Sequence, residues 1–174
     1  MIQVNIPTLE TERLEFRAPS EDIFADEIEF WQSDRSAGMG GPEQRDLVWR
    51  QIAAVIGHWV MRGYGRWAVY EKATGKYCGL VGLWYPDGWF EPEIAWAVMQ
   101  HAEGRGIAYE AAVASRRYAY KELGWTTAIS SIALTNSRSK ALAERMGATL
   151  ERTYEHPSFG TMEVWRHKGP EELS

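Results

Sequence analysis

The spacing of hydrophobic and polar residues changes several times along the chain, and each change predicts a different element. Residues 13–17 alternate as in a strand, and the apolar positions of the next two segments recur at helical spacing. Three strand-like runs follow, and the last of them covers residues 93–99. A helix, a strand, a short helix and a closing hairpin complete the pattern. The predicted order is β-α-α-β-β-β-α-β-α-β-β, with about seven strands and about four helices.

The connections between these elements predict how the strands pair. Short turns join residues 66–71 to 77–85 and close the last two strands into a hairpin, which makes these pairs antiparallel. One strand–helix–strand crossover, from residues 93–99 to 127–134, predicts a parallel pair. We expect an α/β (α+β) fold, in which helices cover a mixed, mostly antiparallel, twisted sheet. No repeat, linker or low-complexity segment divides the chain, so residues 1–174 are expected to form a single domain.

A pair of glycines separates the strand at residues 93–99 from the next helix. Gly104 and Gly106 bound what we call the glycine turn, residues 104–106, and Arg105 between them adds a positive charge. A helix start offers free backbone N–H groups and a positive dipole end, and glycine leaves room there for a phosphate. The turn is therefore predicted to bind a pyrophosphate. The alternative is a helix whose start only tolerates glycine, because Tyr109 stands where a dinucleotide fingerprint needs Gly or Ala.

Composition and charge narrow the functional classes. The net charge of −5 argues against a nucleic-acid partner, which needs a basic face. Cys78 is the only cysteine, so we expect a buried, inert thiol and a reducing, cytoplasmic location. No segment is long and apolar enough to predict a membrane partner, and the four histidines lack metal-ligand spacing, so no metal site is expected. The nine tryptophans and eight tyrosines predict aromatic contacts around a pocket.

The order of elements and three motifs resemble the GNAT superfamily of acyl-CoA-dependent N-acyltransferases. Gly104 and Gly106 match its pyrophosphate motif, Gln/Arg-x-x-Gly-x-Gly/Ala, although His101 occupies the first position. Residues 136–147 are similar to its Asn-x-x-Ser-x-x-x-Ala-x-x-x-Gly signature. Residues 62–69 and 79–83 resemble the RimJ/RimL branch, which acetylates protein N-termini and other amines.

The resemblance implies an acetyl-CoA site. In the family, the strand before the turn splays from its neighbour and offers a backbone N–H to the thioester carbonyl, here that of Ala97 or Val98. The implied cofactor-binding residues are Ala97, Val98, Met99, Gly104, Arg105, Gly106, Ile107, Ala108, Asn136 and Ser139. Many members also carry a Tyr that protonates the departing thiolate, and Ala143 stands at that position. A thiol with a pKa near ~8.5 leaves without strong acid assistance.

Glu93 is the candidate proton acceptor. It opens the strand before the glycine turn and shares a face with Ala95 and Ala97, where small side chains leave room for a ligand. In part of the family a Glu at this place serves as the base. The alternative is a strand-end carboxylate that faces water. An ordinary Glu, with a pKa of ~4.3, matches an amine poorly, so the catalytic role requires partial desolvation or a water relay.

The expected function is transfer of an acetyl group from acetyl-CoA to a primary amine, by direct attack in a ternary complex. The amine is that of a protein N-terminus or of a small molecule, and the protein is expected to be a monomer or homodimer. Two alternatives remain: a non-catalytic acyl-CoA-binding module on the same fold, and a nucleotide-binding regulatory domain.

Overall fold

The computed structural model describes residues 4–173. The strands are β1 (Leu9–Glu10), β2 (Leu14–Arg17), β3 (Arg66–Glu71), β4 (Tyr77–Trp84), β5 (Glu93–Val98), β6 (Ile129–Ala133), β7 (Thr149–His156) and β8 (Gly160–Arg166). The α-helices are α1 (Phe24–Trp31), α2 (Arg45–Arg62), α3 (Ile107–Lys121) and α4 (Ser137–Arg145). None of the helices within residues 4–173 combines the length and apolarity that crossing a bilayer requires.

The strands form one sheet in the order β1-β2-β3-β4-β5-β6-β8-β7. The predicted mixed, mostly antiparallel sheet is confirmed, since only β5 and β6 are parallel among the paired strands of the described chain. The sheet has eight strands instead of about seven. The additional strand, β1, has two residues, which is too short to show an alternating pattern.

The pairing of β5 differs greatly between its two edges. Six residue pairs join β5 to β4, from Gly79↔Val98 to Trp84↔Glu93. In the described chain, Glu93↔Ile129 is the sole pair that joins β5 to β6. Beyond that pair the two strands diverge, and we call the gap the β5–β6 opening. The splayed strand that the resemblance implies is therefore present.

The helices cover the two faces of the sheet in pairs. Helices α1 and α2 pack on the face that carries Ala68, Leu80 and Ala97. Helix α3 packs on the opposite face, where the buried residues include Trp67 and Val81, and α4 lies on the same side. Burial of these apolar faces is the main stabilising contribution to such a layered fold. Cys78 lies in the α3-facing core, so the prediction of a buried thiol is confirmed.

The segment between α1 and α2 is more regular than its glycines suggest. Within it, Asp34–Met39 forms a 3₁₀ turn. Ser33 Oγ accepts a hydrogen bond from the Arg35 N–H at 3.3 Å, and Ser36 Oγ donates to the Trp31 carbonyl at 3.1 Å. These serine bonds satisfy the backbone locally and hold the turn against the end of α1.

Candidate active site

A cavity of about 490 Å³ opens where β5 and β6 diverge. Its walls come from both edges of the β5–β6 opening, the start of α4, the segment between α1 and α2, and the β7–β8 hairpin. The lining includes Trp31, Glu43, Arg66, Trp84, Trp89, Glu93, Ala95, Trp96, Ser131, Asn136 and Ser139. The cavity therefore reaches both helical layers through the sheet.

Glu93 lies at the narrow end of the opening and is 5% exposed. Its Oε2 accepts a hydrogen bond from the backbone N–H of Ser131 at 2.8 Å, across the gap between the strands. Desolvation raises the pKa of Glu93 to about 8, while Ser131, Trp89 and Arg66 lower it by less. The Trp89 indole faces the Glu93 carboxyl group, but its buried Nε1 makes no hydrogen bond of normal geometry within residues 4–173. The alternative of a carboxylate that faces water is wrong.

A carboxyl group with this pKa suits proton transfer with an amine. Near neutral pH it is mostly protonated, and it becomes a base in mildly alkaline solution. The partial desolvation that a catalytic role requires is therefore present in the structure.

Arg66, at the start of β3, is a cavity residue that the sequence did not single out. Its guanidinium carbon lies 4.2 Å from the centroid of the Trp84 ring. The residue as a whole is half-buried because it lines the cavity, while its Nε is enclosed and has no hydrogen-bond partner. Burial lowers the pKa of Arg66, and the nearby Glu27 and Glu93 carboxyl groups oppose that shift. The strand register places Arg66 on the same face of the sheet as Glu93. Arg66 pairs with Gly82, and Gly82 pairs with Ala95 on that face.

The backbone of β5 offers donors to the opening at alternate residues. The Met99 N–H donates to the Cys78 carbonyl at 2.8 Å, so Met99 turns its N–H toward the side of β4. Because antiparallel bonds alternate, Ala97 does the same, and Val98 turns its N–H toward the opening. Of the two predicted donors to a thioester carbonyl, this geometry favours Val98.

The glycine turn has the geometry of an anion cradle. Gly104 and Gly106 adopt left-handed conformations, with φ of 68° and 76°. Within residues 4–173, no backbone N–H from residue 104 to residue 109 donates to a protein acceptor. These free groups include those of Ile107 and Ala108, whereas the Ile107 side chain is buried in the core. The exposed N–H groups at this helix start fit the phosphate of a nucleotide.

Arg105 departs from its predicted role in one respect. Its guanidinium forms an ion pair with Glu71 and a 3.4 Å hydrogen bond with the His101 carbonyl. The side chain therefore turns toward the protein, and its charge is already partly neutralised. The sequence-based prediction missed Glu71, which is distant in sequence and lies at the end of β3.

The start of α4 brings the second predicted motif to the cavity. Asn136 Oδ1 accepts a hydrogen bond from the Ser139 N–H at 3.1 Å, which is an N-cap. Ser139 Oγ in turn accepts from Trp96 Nε1 at 3.1 Å. Ala143 is fully buried in an apolar cluster with Ile132, so this position offers no proton donor.

A pair of hydroxyl groups lies beside Glu93 instead. Ser131, whose N–H binds the Glu93 carboxylate, shares a 2.6 Å hydrogen bond between its Oγ and the hydroxyl of Tyr154. Burial raises the pKa of Tyr154, so its hydroxyl remains protonated. Ser131 was not predicted, because a serine inside a strand carries no signal of its own.

The predicted site residues thus fall into three groups along one path. Glu93, Asn136 and Ser139 line the cavity. Ala97, Val98 and Met99 continue β5 away from it, and Gly104 to Ala108 form the helix start beyond. The described residues contain no group of three or more His, Cys, Asp or Glu side chains placed to hold a metal ion.

Comparison with known proteins agrees with this arrangement. An acetyltransferase from Agrobacterium tumefaciens is 33% identical, with a TM-score of 0.86 over 96% of this chain and 97% of that one. An acetyltransferase of the GNAT family from Bacillus anthracis shares the fold, at 19% identity and a TM-score of 0.78, over 95% of this chain and 99% of that one. So does RimL, a ribosomal L7/L12 alpha-N-protein acetyltransferase in complex with coenzyme A, at 14% identity and a TM-score of 0.75, over 93% and 98%.

The sequence profile of the acetyltransferase (GNAT) domain matches residues 13–149, which include β5, the glycine turn and α4. This match covers well over half of the chain and contains the motifs that line the opening. The protein belongs to the GNAT family of acetyltransferases.

Proposed function

We propose that this protein transfers an acetyl group from acetyl-CoA to a primary amine by direct attack in a ternary complex. The observation that carries the proposal is Glu93, a buried carboxyl group with a pKa of about 8 at the point where the sheet opens. We further propose that residues 1–174 form one catalytic domain that acts in the cytoplasm, as a monomer or homodimer. Neither nucleic acid nor a membrane is among the proposed partners.

The cofactor side of the proposal rests on free backbone donors. The N–H groups from Gly104 to Ala108 would hold the pyrophosphate, and Asn136 and Ser139 would lie beside the pantetheine arm. The Val98 N–H would donate a hydrogen bond to the thioester carbonyl oxygen and stabilise its developing negative charge. Acetyl-CoA supplies the acetyl group as an activated thioester.

On the acceptor side, Glu93 removes the proton that the amine loses when it attacks. The carboxylate is held by the Ser131 N–H, which fixes its orientation across the opening. The Ser131–Tyr154 hydroxyl pair, which adjoins Glu93 through the Ser131 N–H, is the proposed donor to the departing thiolate. This assignment gives the acid role to β6 and β7, in place of the α4 position occupied by Ala143.

The test is thiol release from acetyl-CoA in the presence of an acceptor panel. The panel contains small primary amines, amino acids and N-terminal peptides, among them the N-terminus of a ribosomal protein, because RimL is named for such a substrate. We expect amine-dependent thiol release, and loss of most of it in Glu93→Gln.

Two results would support the alternatives instead. Calorimetric binding of acetyl-CoA without thiol release for any amine indicates a non-catalytic acyl-CoA-binding module. Tighter binding of ATP or NAD than of acetyl-CoA indicates a nucleotide-binding regulatory domain.

A further inference from the structure

Arg66, which lines the cavity, differs from the other arginines of the described chain that are not exposed. Within residues 4–173, the other arginines that are not exposed are paired: Arg35 with Glu103, Arg116 with the Met146 carbonyl, and Arg166 with Glu91. Within residues 4–173, the Arg66 guanidinium donates no hydrogen bond and forms no ion pair. An enclosed guanidinium nitrogen without an acceptor is costly, and in a native structure it calls for an explanation such as a catalytic role or a bound ion.

The nearest buried carboxylates do not serve as partners for Arg66. Glu27 Oε1 accepts from the Tyr77 hydroxyl at 2.6 Å, and Glu27 Oε2 accepts from Trp31 Nε1 at 3.0 Å. Both Glu27 oxygens are therefore occupied by neutral donors. Glu93 is held by Ser131 and is mostly protonated near neutral pH, so it does not neutralise Arg66 either.

The sheet register fixes where Arg66 lies relative to Glu93. Arg66 stands opposite Gly82, and Gly82 stands opposite Ala95, so the three share one face. Glu93 lies two residues before Ala95 on that face. Sheet spacings then separate the Cα atoms of Arg66 and Glu93 by roughly 12 Å. Gly82 and Ala95 add little side-chain volume between the two long side chains, and Trp84, which stands opposite Glu93, lies on the same face.

We propose that Arg66 binds a carboxylate of the acceptor, so that the acceptor is a primary amine that also carries a carboxylate group. An amino acid and an acidic residue at a peptide N-terminus share this chemistry. The identity of the acceptor rests on the acetyl transfer proposed above, whereas the carboxylate subsite is a separate property of the cavity.

The surroundings of Arg66 favour a carboxylate. A guanidinium presents a planar fork that binds a carboxylate through two parallel hydrogen bonds, and the Trp84 ring at 4.2 Å fixes the plane of that fork. With its carboxylate on Arg66, an amino-carboxylate of modest length extends its amine toward Glu93. Glu43, which is half-buried at the cavity rim, adds a carboxylate that favours the ammonium end over a second anion.

The first experiment compares matched acceptors by thiol release. Free amino acids are compared with their carboxamides, and peptides that begin with Glu or Asp are compared with those that begin with Gln or Asn. We expect kcat/KM to favour carboxylates by roughly tenfold to hundredfold, the range of a hydrogen bond to a charged group. Arg66→Gln should remove that preference with unchanged acetyl-CoA affinity, and Arg66→Lys should retain part of it.

Arg62→Gln is the matched control. Arg62 also lies over an aromatic ring, that of Tyr85 at 4.9 Å, but it is exposed and outside the cavity lining. This variant should keep the carboxylate preference. The two peptide and amino-acid comparisons identify which source of the carboxylate the cavity accepts.

A second experiment separates the subsite from the acetyl transfer. N-acetyl amino acids and their carboxamides are titrated calorimetrically into the protein in the presence of CoA. Carboxylate-selective binding that disappears in Arg66→Gln supports the subsite, even if no amine releases thiol and the acetyl transfer is wrong. Equal binding and turnover of carboxylates and carboxamides, or an equal loss of both in Arg66→Gln, would overturn the inference.

Discussion

The two ends of β5 differ in the kind of free hydrogen-bonding group that they offer: backbone groups at one end and side chains at the other. Beyond its C-terminal end, the glycine turn leaves backbone N–H groups free, while Arg105 and Arg13 are paired with Glu71 and Glu110. At its N-terminal end the backbone is paired with β4, and the side chain of Glu93 faces the cavity. One end therefore presents an anion site made of backbone, and the other a site made of side chains.

The difference between a backbone site and a side-chain site bears on which parts of an enzyme can vary within a family. A backbone cradle depends on chain conformation, so it suits a cofactor that all members use. A side-chain site changes with single substitutions, so it suits an acceptor that varies. Substitutions at the two ends of β5 should therefore affect different steps, with the largest effect at Glu93.

Glu93→Gln should have the largest effect, because it removes the base and keeps the shape. We expect kcat to fall roughly 10²-fold at pH 8 and above. The loss should shrink as the pH falls, because the wild-type carboxyl group, with its pKa of about 8, becomes protonated. A pH series of thiol release checks this. A change under threefold from pH 6 to pH 9, similar to that of the exposed control Glu29→Gln, would contradict it.

Glu93→Gln should lower activity but raise stability relative to the wild type as the pH increases. Between the usual pKa of 4.5 and about 8, the unfolded chain ionises at Glu93 while the folded protein keeps the proton. The wild-type protein therefore loses stability across this window as the pH rises, and the Gln variant does not. The free energy of unfolding of the variant, relative to that of the wild type, should be higher at pH 8 than at pH 5. No change in the difference would mean that Glu93 titrates as an exposed carboxyl group.

Gly106→Val should weaken acetyl-CoA binding about tenfold or more, which corresponds to ~1.4 kcal/mol. The protein itself leaves space, since the nearest atom to an added Cβ is Arg13 Nη2 at 3.4 Å. The left-handed φ of 76° costs about 1–2 kcal/mol of stability. Gly124→Val, at φ of 69° and with no neighbour within 4 Å, controls for that strain. Calorimetry should show a loss of acetyl-CoA affinity in Gly106→Val and none in Gly124→Val. Equal affinities of the two variants would mean that the turn does not bind the phosphate.

Asn136 tests whether a cap residue also contacts the cofactor. Asn136→Ala should lower the free energy of unfolding by ~1 kcal/mol, through loss of the N-cap. Asn136→Asp keeps the capping oxygen and loses the amide donor. It should preserve stability and lower kcat/KM for acetyl-CoA by roughly twofold to tenfold, the equivalent of one hydrogen bond. Chemical denaturation and steady-state kinetics measure the two effects. Normal turnover in this variant would leave Asn136 as a cap only.

Arg105→Gln should have the smallest effect. Because the guanidinium is already paired with Glu71, we expect acetyl-CoA affinity to change less than about threefold, as for a surface ion pair. A fall above tenfold would show that Arg105 leaves Glu71 to bind phosphate. Glu71→Gln sharpens the comparison, since it releases the guanidinium and should raise the affinity if the two partners compete.

Local patterns were sufficient for much of the fold. Alternation predicted β3 through β5, and the glycine pair predicted the start of α3 at Gly106. A left-handed glycine also ends α2, at Gly63. The Asn136 N-cap is equally local, since the Ser139 N–H that it binds lies three residues along the chain. Each of these features depends on interactions within a few residues, which a sequence records directly.

The rest depends on partners that are distant in sequence. The burial of Glu93 depends on the course of β6 and on the Ser131 N–H, and neither leaves a trace beside Glu93 in the sequence. Arg66 was unremarked because its significance lies in the absence of a partner, which appears only when the strands are aligned. The pairing of Arg105 with Glu71 was missed for the same reason.

Because one residue pair joins β5 to β6 in the described chain, the sheet divides into two parts, one of five strands and one of three. Side-chain bonds replace the missing ladder there, since Ser130 Oγ donates to the Ile94 carbonyl at 2.6 Å and Glu93 binds the Ser131 N–H. The pantetheine arm carries two amide groups, so an acyl-CoA bound as proposed above would take the place of the absent strand pairing. We expect the bound ligand to hold the two strand edges together. Its binding should slow amide hydrogen exchange along the facing edges of β5 and β6, and the melting temperature should rise with ligand concentration.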